Sequence, residues 1–130
     1  MTRKQAREEA FVLIFEKVFN PDSVQEILEL ANDVRGLEPN DYIKTVFFGV
    51  YENLEKIDNI ISKNAIGWSI QRISKTALSV LRLSLFEIMF MEDIRVAVSI
   101  NEAVELCKKY ATKEDASFVN GLLSTVAKSL

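Results

Sequence analysis

The sequence predicts an all-α protein, a compact bundle of about seven helices in which residues 1–130 form a single domain. Apolar residues recur at helical spacing through most segments of the chain. Only four glycines and two prolines occur, which disfavours a turn-rich β architecture. Hydrophobic residues make up 48% of the 130 positions, which is enough to build a core.

The first helix begins at a capping box, in which the side chains of Thr2 and Gln5 each bond the other's backbone. Its apolar stripe continues to Phe19, and Asn20-Pro21 then ends the helix.

A short second helix follows, capped by Asp22 or Ser23 and ended by Gly36 and Pro39. Its predicted inward positions are Val24, Ile27, Leu28 and Leu30.

A long third helix is predicted from Asn40 or Asp41 to Lys63, because apolar residues continue at spacings of three and four. Gly49 lies inside it and indicates a close crossing with another helix.

The next segment contains the most apolar helix of the chain. After a short piece at Trp68–Ile73, Ser74 caps a helix predicted over Lys75–Met91. This helix is apolar almost all round, which is typical of a central, buried helix.

Two further helices complete the bundle. Arg95–Ile100 alternates like a strand, but Ser99 and Glu102 form a second capping box, which predicts a helix to Tyr110 instead. The last helix is predicted over Asp115–Lys128.

The Asn120-Gly121 dipeptide, usually a turn signal, lies inside this last helix. A glycine there costs about 1 kcal/mol relative to alanine. We therefore expect a neighbouring helix to approach Gly121 closely, with the Asn120 amide satisfying a carbonyl at the crossing.

The composition excludes several classes of function. The chain has no histidine, its one cysteine is Cys107, and no glycine-rich phosphate-binding loop occurs. We therefore expect that the protein is not an enzyme and binds neither a metal ion nor a cofactor. No apolar run is long enough to cross a membrane, and the N-terminus lacks the apolar core of a secretory signal, so we expect a cytoplasmic protein.

Charge is unevenly distributed along an acidic chain of net charge −3. Residues 1–7 carry three basic and no acidic side chains, whereas residues 8–65 carry twelve acidic and five basic ones. The sequence pI of about 5.1 argues against a protein that binds nucleic acid unaided, but it allows a local basic patch.

Arg3, Lys4 and Arg7 place positive charge in the first helical turn, where it opposes the helix dipole. One interpretation is a solvated charged end, and the other is a phosphate-binding surface. Arg7, Phe11 and Phe15 form one ridge on the first helix. A basic side chain beside aromatic rings suits single-stranded RNA, whose phosphates pair with arginine and whose nucleobases stack on the rings. Core packing is the commoner role for both phenylalanines.

A second basic cluster comprises Lys108, Lys109 and Lys113, followed closely by Phe118 at the start of the last helix. Cations at a helix C-terminus are favoured by the helix dipole, which suffices to explain Lys108 and Lys109.

Arg82 and Glu87 interrupt the most apolar helix. The simplest interpretation is a salt bridge between these two residues inside the protein.

Five motifs follow one another along the chain: RKQAREEA (3–10), WSIQR (68–72), LRLSLFE (81–87), INEAVELCKKY (100–110) and FVNGLL (118–123). Their order resembles the NusB family of bacterial transcription antitermination factors. The resemblance implies two small helical sub-bundles that share a long helix. It also implies an adaptor that pairs with NusE, a small-subunit ribosomal protein, binds boxA RNA of ribosomal RNA leader transcripts and joins the RNA polymerase antitermination complex.

The resemblance and the basic clusters together define the candidate site residues. Those expected to bind RNA are Arg3, Lys4, Arg7, Phe15, Lys109, Lys113, Glu114 and Phe118. Those expected on the NusE-facing side are Lys75, Leu78, Ser79 and Arg82.

Two alternatives remain at this level. NusB-like domains also occur attached to RNA methyltransferases, but the chain ends at Leu130 without a nucleotide-binding βαβ pattern, so we expect no catalysis. The second alternative is a helical scaffold that binds proteins and no RNA. The sequence does not decide whether the free protein forms a homodimer.

Overall fold

The computed structural model describes all 130 residues and contains seven α-helices and no strand. The helices are α1 Arg3–Phe19, α2 Val24–Arg35, α3 Asp41–Glu52, α4 Leu54–Asn64, α5 Lys75–Phe90, α6 Val96–Tyr110 and α7 Lys113–Lys128. A 3-10 turn at Ile70–Arg72 precedes α5. The all-α prediction is therefore confirmed. None of the helices is both long and apolar enough to cross a membrane.

Helix α5 lies at the centre of the molecule and joins two groups of helices. Helices α1, α2 and α3 contact one another, α7 contacts both α4 and α6, and α5 contacts members of both groups. Every residue of α5 from Ala77 to Glu87 is buried. This arrangement confirms the predicted central helix and the two sub-bundles that share it.

Local capping signals set several helix starts. The Gln5 amide donates to the Thr2 hydroxyl at 3.1 Å, and the Thr2 amide donates to the Gln5 side-chain oxygen at 2.8 Å. Ser23 forms an equivalent box with Glu26 at the start of α2. Ser74 caps α5 by accepting from the Ala77 amide. Hydroxyl caps of this kind satisfy amides that have no partner within the helix.

The predicted long helix is wrong in one respect, because it is interrupted at Asn53 and forms α3 and α4. The side-chain amide of Asn53 donates to the Gly49 carbonyl at 2.8 Å, and its backbone amide donates to the same oxygen at 3.1 Å. Asparagine side chains compete in this way for helical backbone partners, which explains the break.

Helix α6 begins at Val96, three residues before the predicted cap at Ser99. Ser99 is buried inside the helix, and its hydroxyl donates to Glu87 instead of capping an amide. Helix α7 begins at Lys113, two residues earlier than predicted, because Thr112 caps it by accepting from the Asp115 amide.

Leu30 is predicted to face inward on α2, but 46% of it is exposed. The buried stripe of this helix consists of Ile27, Leu28 and Ala31. Leu30 lies to the solvent side of that stripe, beside the exposed Val34.

The two helical glycines differ in their surroundings. A Cβ atom on Gly49 would lie 2.2 Å from the Phe86 ring, so α3 and α5 cross closely there, as predicted. A Cβ atom on Gly121 would meet nothing within 4 Å, and Asn120 is exposed. The predicted close approach at Gly121 is therefore wrong, and no contact within the chain explains this glycine.

Alanine substitution should separate these two glycines. Gly49→Ala should lower Tm, because overpacking against the buried Phe86 costs about 1–3 kcal/mol, more than the gain in helix propensity. Gly121→Ala should raise the stability by up to about 1 kcal/mol, or Tm by about 4 °C. Thermal unfolding followed by circular dichroism measures both, and a lower Tm for Gly121→Ala would contradict its open surroundings.

Candidate functional site

A buried carboxylate joins four helices beside the N-terminal end of α1. Glu87 of α5 is fully buried. Its Oε2 atom accepts from Arg7 Nε at 2.9 Å and from the Tyr42 hydroxyl at 2.5 Å, and its Oε1 accepts from the Ser99 hydroxyl at 2.7 Å. We call Arg7, Tyr42, Glu87 and Ser99 the Glu87 network.

The Glu87 network changes the expected role of Arg7. Arg7 is only 4% exposed. Burial by itself would lower the pKa of Arg7, but the charge of Glu87 and its hydrogen bond raise it overall. Arg7 is thus a buried cation paired with Glu87, although it also lines the recess between α1 and α6. Its expected contact with a phosphate stays a prediction.

The predicted salt bridge between Arg82 and Glu87 is wrong. Arg82 instead makes a two-pronged ion pair with Asp58 of α4, through Nε at 3.0 Å and Nη2 at 2.9 Å. Arg82 and Glu87 lie five positions apart on α5, so their side chains point in different directions around the helix. Arg82 reaches α4 and Glu87 reaches α1.

Exposed cations lie along a cleft between α1 and α6, which we call the α1–α6 cleft. Lys109 Nζ lies 2.5 Å from Glu8 Oε1, and the Tyr110 hydroxyl also donates to Glu8. These hydrogen bonds lower the pKa of Glu8 and raise the pKa values of Lys109 and Tyr110. Lys4 lies 3.4 Å from Glu102. The cleft therefore brings Lys4 and Arg7 of the first basic cluster together with Lys109 of the second, but both lysines pair with carboxylates.

Arg3 differs from the lysines of the α1–α6 cleft. Its side chain is exposed and makes no ion pair within 4 Å. Its guanidinium carbon lies 4.6 Å from the centroid of the Tyr42 ring. Lys113, in the first turn of α7, is likewise exposed and without an ion pair.

The aromatic candidates on α1 form a row. Phe11 is buried, Phe15 is half-buried and Phe19 is 63% exposed. The Phe15 ring centroid lies 6.2 Å from that of Phe11 and 5.1 Å from that of Phe19. Tyr110, 42% exposed, extends the row from α6 with its ring 5.1 Å from Phe11. Phe11 thus belongs to the core, and Phe15 presents part of its ring.

Phe118 and Glu114 line a different cavity, with a volume of about 150 Å³, which we call the Trp68–Phe118 cavity. Trp68 is 53% exposed there, and Arg72 is also exposed. The other residues that line the cavity are Ile73, Ser74 and Asp115. Arg7 does not line this cavity, so Arg7 and Phe118 line separate recesses.

The residues expected to face NusE differ in burial. Leu78 and Ser79 are buried within α5. Arg82 is 9% exposed and forms an ion pair with Asp58. These three side chains have almost no surface for a partner, which corrects the expectation of direct contact. Lys75, at the start of α5, is exposed and remains a candidate.

Comparison with known proteins decides the family. The model of the NusB family matches residues 4–128. A transcription antitermination protein NusB from Ruminiclostridium cellulolyticum is 44% identical over 98% of this chain and 90% of its own length. The chain belongs to the NusB family. Its relatives in this family are transcription antitermination proteins and not enzymes.

Solved structures of NusB proteins share the fold. NusB from T. maritima is 33% identical with a TM-score of 0.87, over 98% of this chain and 92% of that one. A crystal structure of antitermination factors NusB and NusE in complex with dsRNA contains a chain that is 28% identical, with a TM-score of 0.87. That match covers 98% of this chain and 97% of the other.

Several residues of the site in this NusB family member were not predicted from the sequence. Tyr42 and Ser99 gave no local sign that they would donate to Glu87, since the partners lie 45 and 12 positions apart. Trp68 and Arg72 did carry a signal, because they belong to the WSIQR motif, but nothing in the motif placed them beside Phe118.

Glu87→Gln should destabilise the protein by about 3–5 kcal/mol, because it leaves the charge of the buried Arg7 without its counter-ion. Urea unfolding monitored by circular dichroism measures this loss. Asp58→Asn is the matched control, and it should cost less because the Arg82–Asp58 pair is more exposed. Equal losses for the two variants would contradict the special role of the Glu87 network.

Proposed function

We propose that this chain is a transcription antitermination adaptor that binds boxA RNA of ribosomal RNA leader transcripts together with NusE. The observation that carries the proposal is the α1–α6 cleft, where the exposed cations of two distant segments meet on an anionic protein. The similarity to NusB proteins, including the one solved with NusE and dsRNA, supports it.

The exposed cations would contact phosphates. Arg3 and Lys113 are free of ion pairs, and Lys4 and Lys109 are available once a phosphate replaces Glu102 and Glu8. Arg7 would act from inside, by holding α1 on α5. Phosphate contacts release counter-ions, so the affinity should fall as salt rises.

Two aromatic sites would contact bases. The exposed part of Phe15 lies on α1, and Phe118 lies in the Trp68–Phe118 cavity with the Glu114 carboxylate at its rim. Unstacked bases pack on aromatic rings, and carboxylates accept hydrogen bonds from base amino groups. The RNA would thus span two recesses.

NusE would supply the remaining attraction for RNA, because the chain alone has a net charge of −3. Lys75 is the exposed candidate for contact with NusE. Residues 1–130 would act as a single domain in the cytoplasm, within the RNA polymerase antitermination complex.

Fluorescence anisotropy with a labelled boxA RNA tests the proposal, with and without purified NusE. Arg3→Ala and Lys113→Ala should each weaken binding and reduce the slope of log affinity against log salt by about 0.7, the value for one phosphate contact on a single strand. Lys44→Ala is the control, since Lys44 is an exposed cation on α3 that lines neither the α1–α6 cleft nor the Trp68–Phe118 cavity. Binding of NusE with no salt-dependent RNA binding would instead indicate a protein scaffold.

Glu8→Gln should strengthen RNA binding by about two- to fivefold at low salt, because Lys109 no longer has a competing carboxylate. Glu9→Gln is a closely matched control: Glu9 is the next residue, its side chain is exposed to a similar extent, and it pairs with Arg35 instead. Both variants change the net charge equally. An equal gain for both would show that only the overall charge matters.

A further inference from the structure

Arg3 is held on the surface by a ring and not by a carboxylate. The exposed cations of the α1–α6 cleft, Lys4 and Lys109, each have a carboxylate partner. Arg3 has none, and its guanidinium lies over the face of Tyr42. A ring attracts a cation without neutralising it and without accepting its in-plane N–H donors. Both the charge and the donors of Arg3 therefore stay available to a ligand.

The Tyr42 ring is itself fixed in position. Tyr42 lies in the first turn of α3, is only 6% exposed, and donates its hydroxyl to Glu87 at 2.5 Å. Glu87 in turn is held by Arg7 and Ser99. Burial and the charge of Glu87 raise the pKa of Tyr42, so the hydroxyl stays protonated and remains a donor. The Tyr42 ring beneath Arg3 is therefore held in the core by the Glu87 network.

We propose that Tyr42 is a positioning residue for RNA binding, whose anchored ring orients the Arg3 guanidinium toward a phosphate. This inference rests on the proposed function and adds a residue that does not itself touch RNA. An arginine ordered before binding loses less rotamer freedom when it forms two parallel hydrogen bonds to a phosphate. The buried Tyr42 would thereby increase the affinity of the chain for RNA.

Tyr42→Leu should weaken binding of the boxA RNA by about two- to fivefold, the range expected for an exposed cation–ring contact. Tyr51→Leu is the matched control. Tyr51 also lies on α3, donates its hydroxyl to the Ile14 carbonyl of α1, and has a cation of α1, Lys17, 5.9 Å from its ring centroid. Both variants should lose stability, but only Tyr42→Leu should lose RNA affinity.

A double-mutant cycle distinguishes positioning from a general structural effect. In an Arg3→Ala background, Tyr42→Leu should have no further effect on RNA affinity or on its salt slope. Tyr42→Phe keeps the ring and loses the hydroxyl, so it should lower Tm yet bind RNA within about twofold of the unmodified protein. The inference is overturned if Tyr42→Leu weakens binding equally with and without Arg3, or if Tyr42→Phe loses as much affinity as Tyr42→Leu.

A measurement without RNA separates failure of this inference from failure of the proposed function. In NMR spectra of the free protein, the side-chain protons of Arg3 should show a ring-current shift that disappears in Tyr42→Leu and persists in Tyr51→Leu. If the shift is present but the RNA does not bind, the proposed function fails and the orientation of Arg3 stands. If the shift is absent, Tyr42 does not position Arg3.

Discussion

The Glu87 carboxylate, buried in the central helix, accepts hydrogen bonds from α1, α3 and α6 and so constrains how these helices meet α5. Removing a carboxylate from water is costly unless its charge is paired and its oxygens are hydrogen-bonded. Arg7 supplies the opposite charge, while Tyr42 and Ser99 supply neutral donors. No buried side-chain nitrogen or oxygen in the protein lacks a hydrogen-bond partner. Moving Arg7 away from Glu87 would leave two buried charges unpaired.

This constraint divides the basic residues of α1 into two kinds. Arg7 points into the protein and holds the helix, whereas Arg3 and Lys4 lie one turn earlier and stay in solvent. Positive charge in a first helical turn opposes the helix dipole, so stability alone does not favour it. The buried pair between Arg7 and Glu87 accounts for one cation in structural terms. A ligand that binds Arg3 and Lys4 would account for the two that stay in solvent.

The charges of the α1–α6 cleft are balanced in the free protein. Glu8 and Glu102 pair with Lys109 and Lys4, so on the proposed function an incoming phosphate would compete with these carboxylates. Exposed ion pairs of this kind are weak, so this competition would lower the affinity for RNA without abolishing it. Such a surface suits a protein that binds RNA with a partner, since neither the cleft nor the acidic chain as a whole attracts RNA strongly.

The sequence by itself determined the features that depend on neighbouring residues: the helical class, the capping box at Thr2, and the apolar surface that buries α5. The close crossing at Gly49 was also predictable, because a glycine in a strongly apolar helix allows another helix to approach its backbone. The tertiary structure alone decided that Arg7 pairs with Glu87 and Arg82 with Asp58. It also placed Phe118 in a cavity beside Trp68. Charged side chains choose their partners by direction and distance in the folded protein, and residues 80 positions apart carry no local signal of their meeting.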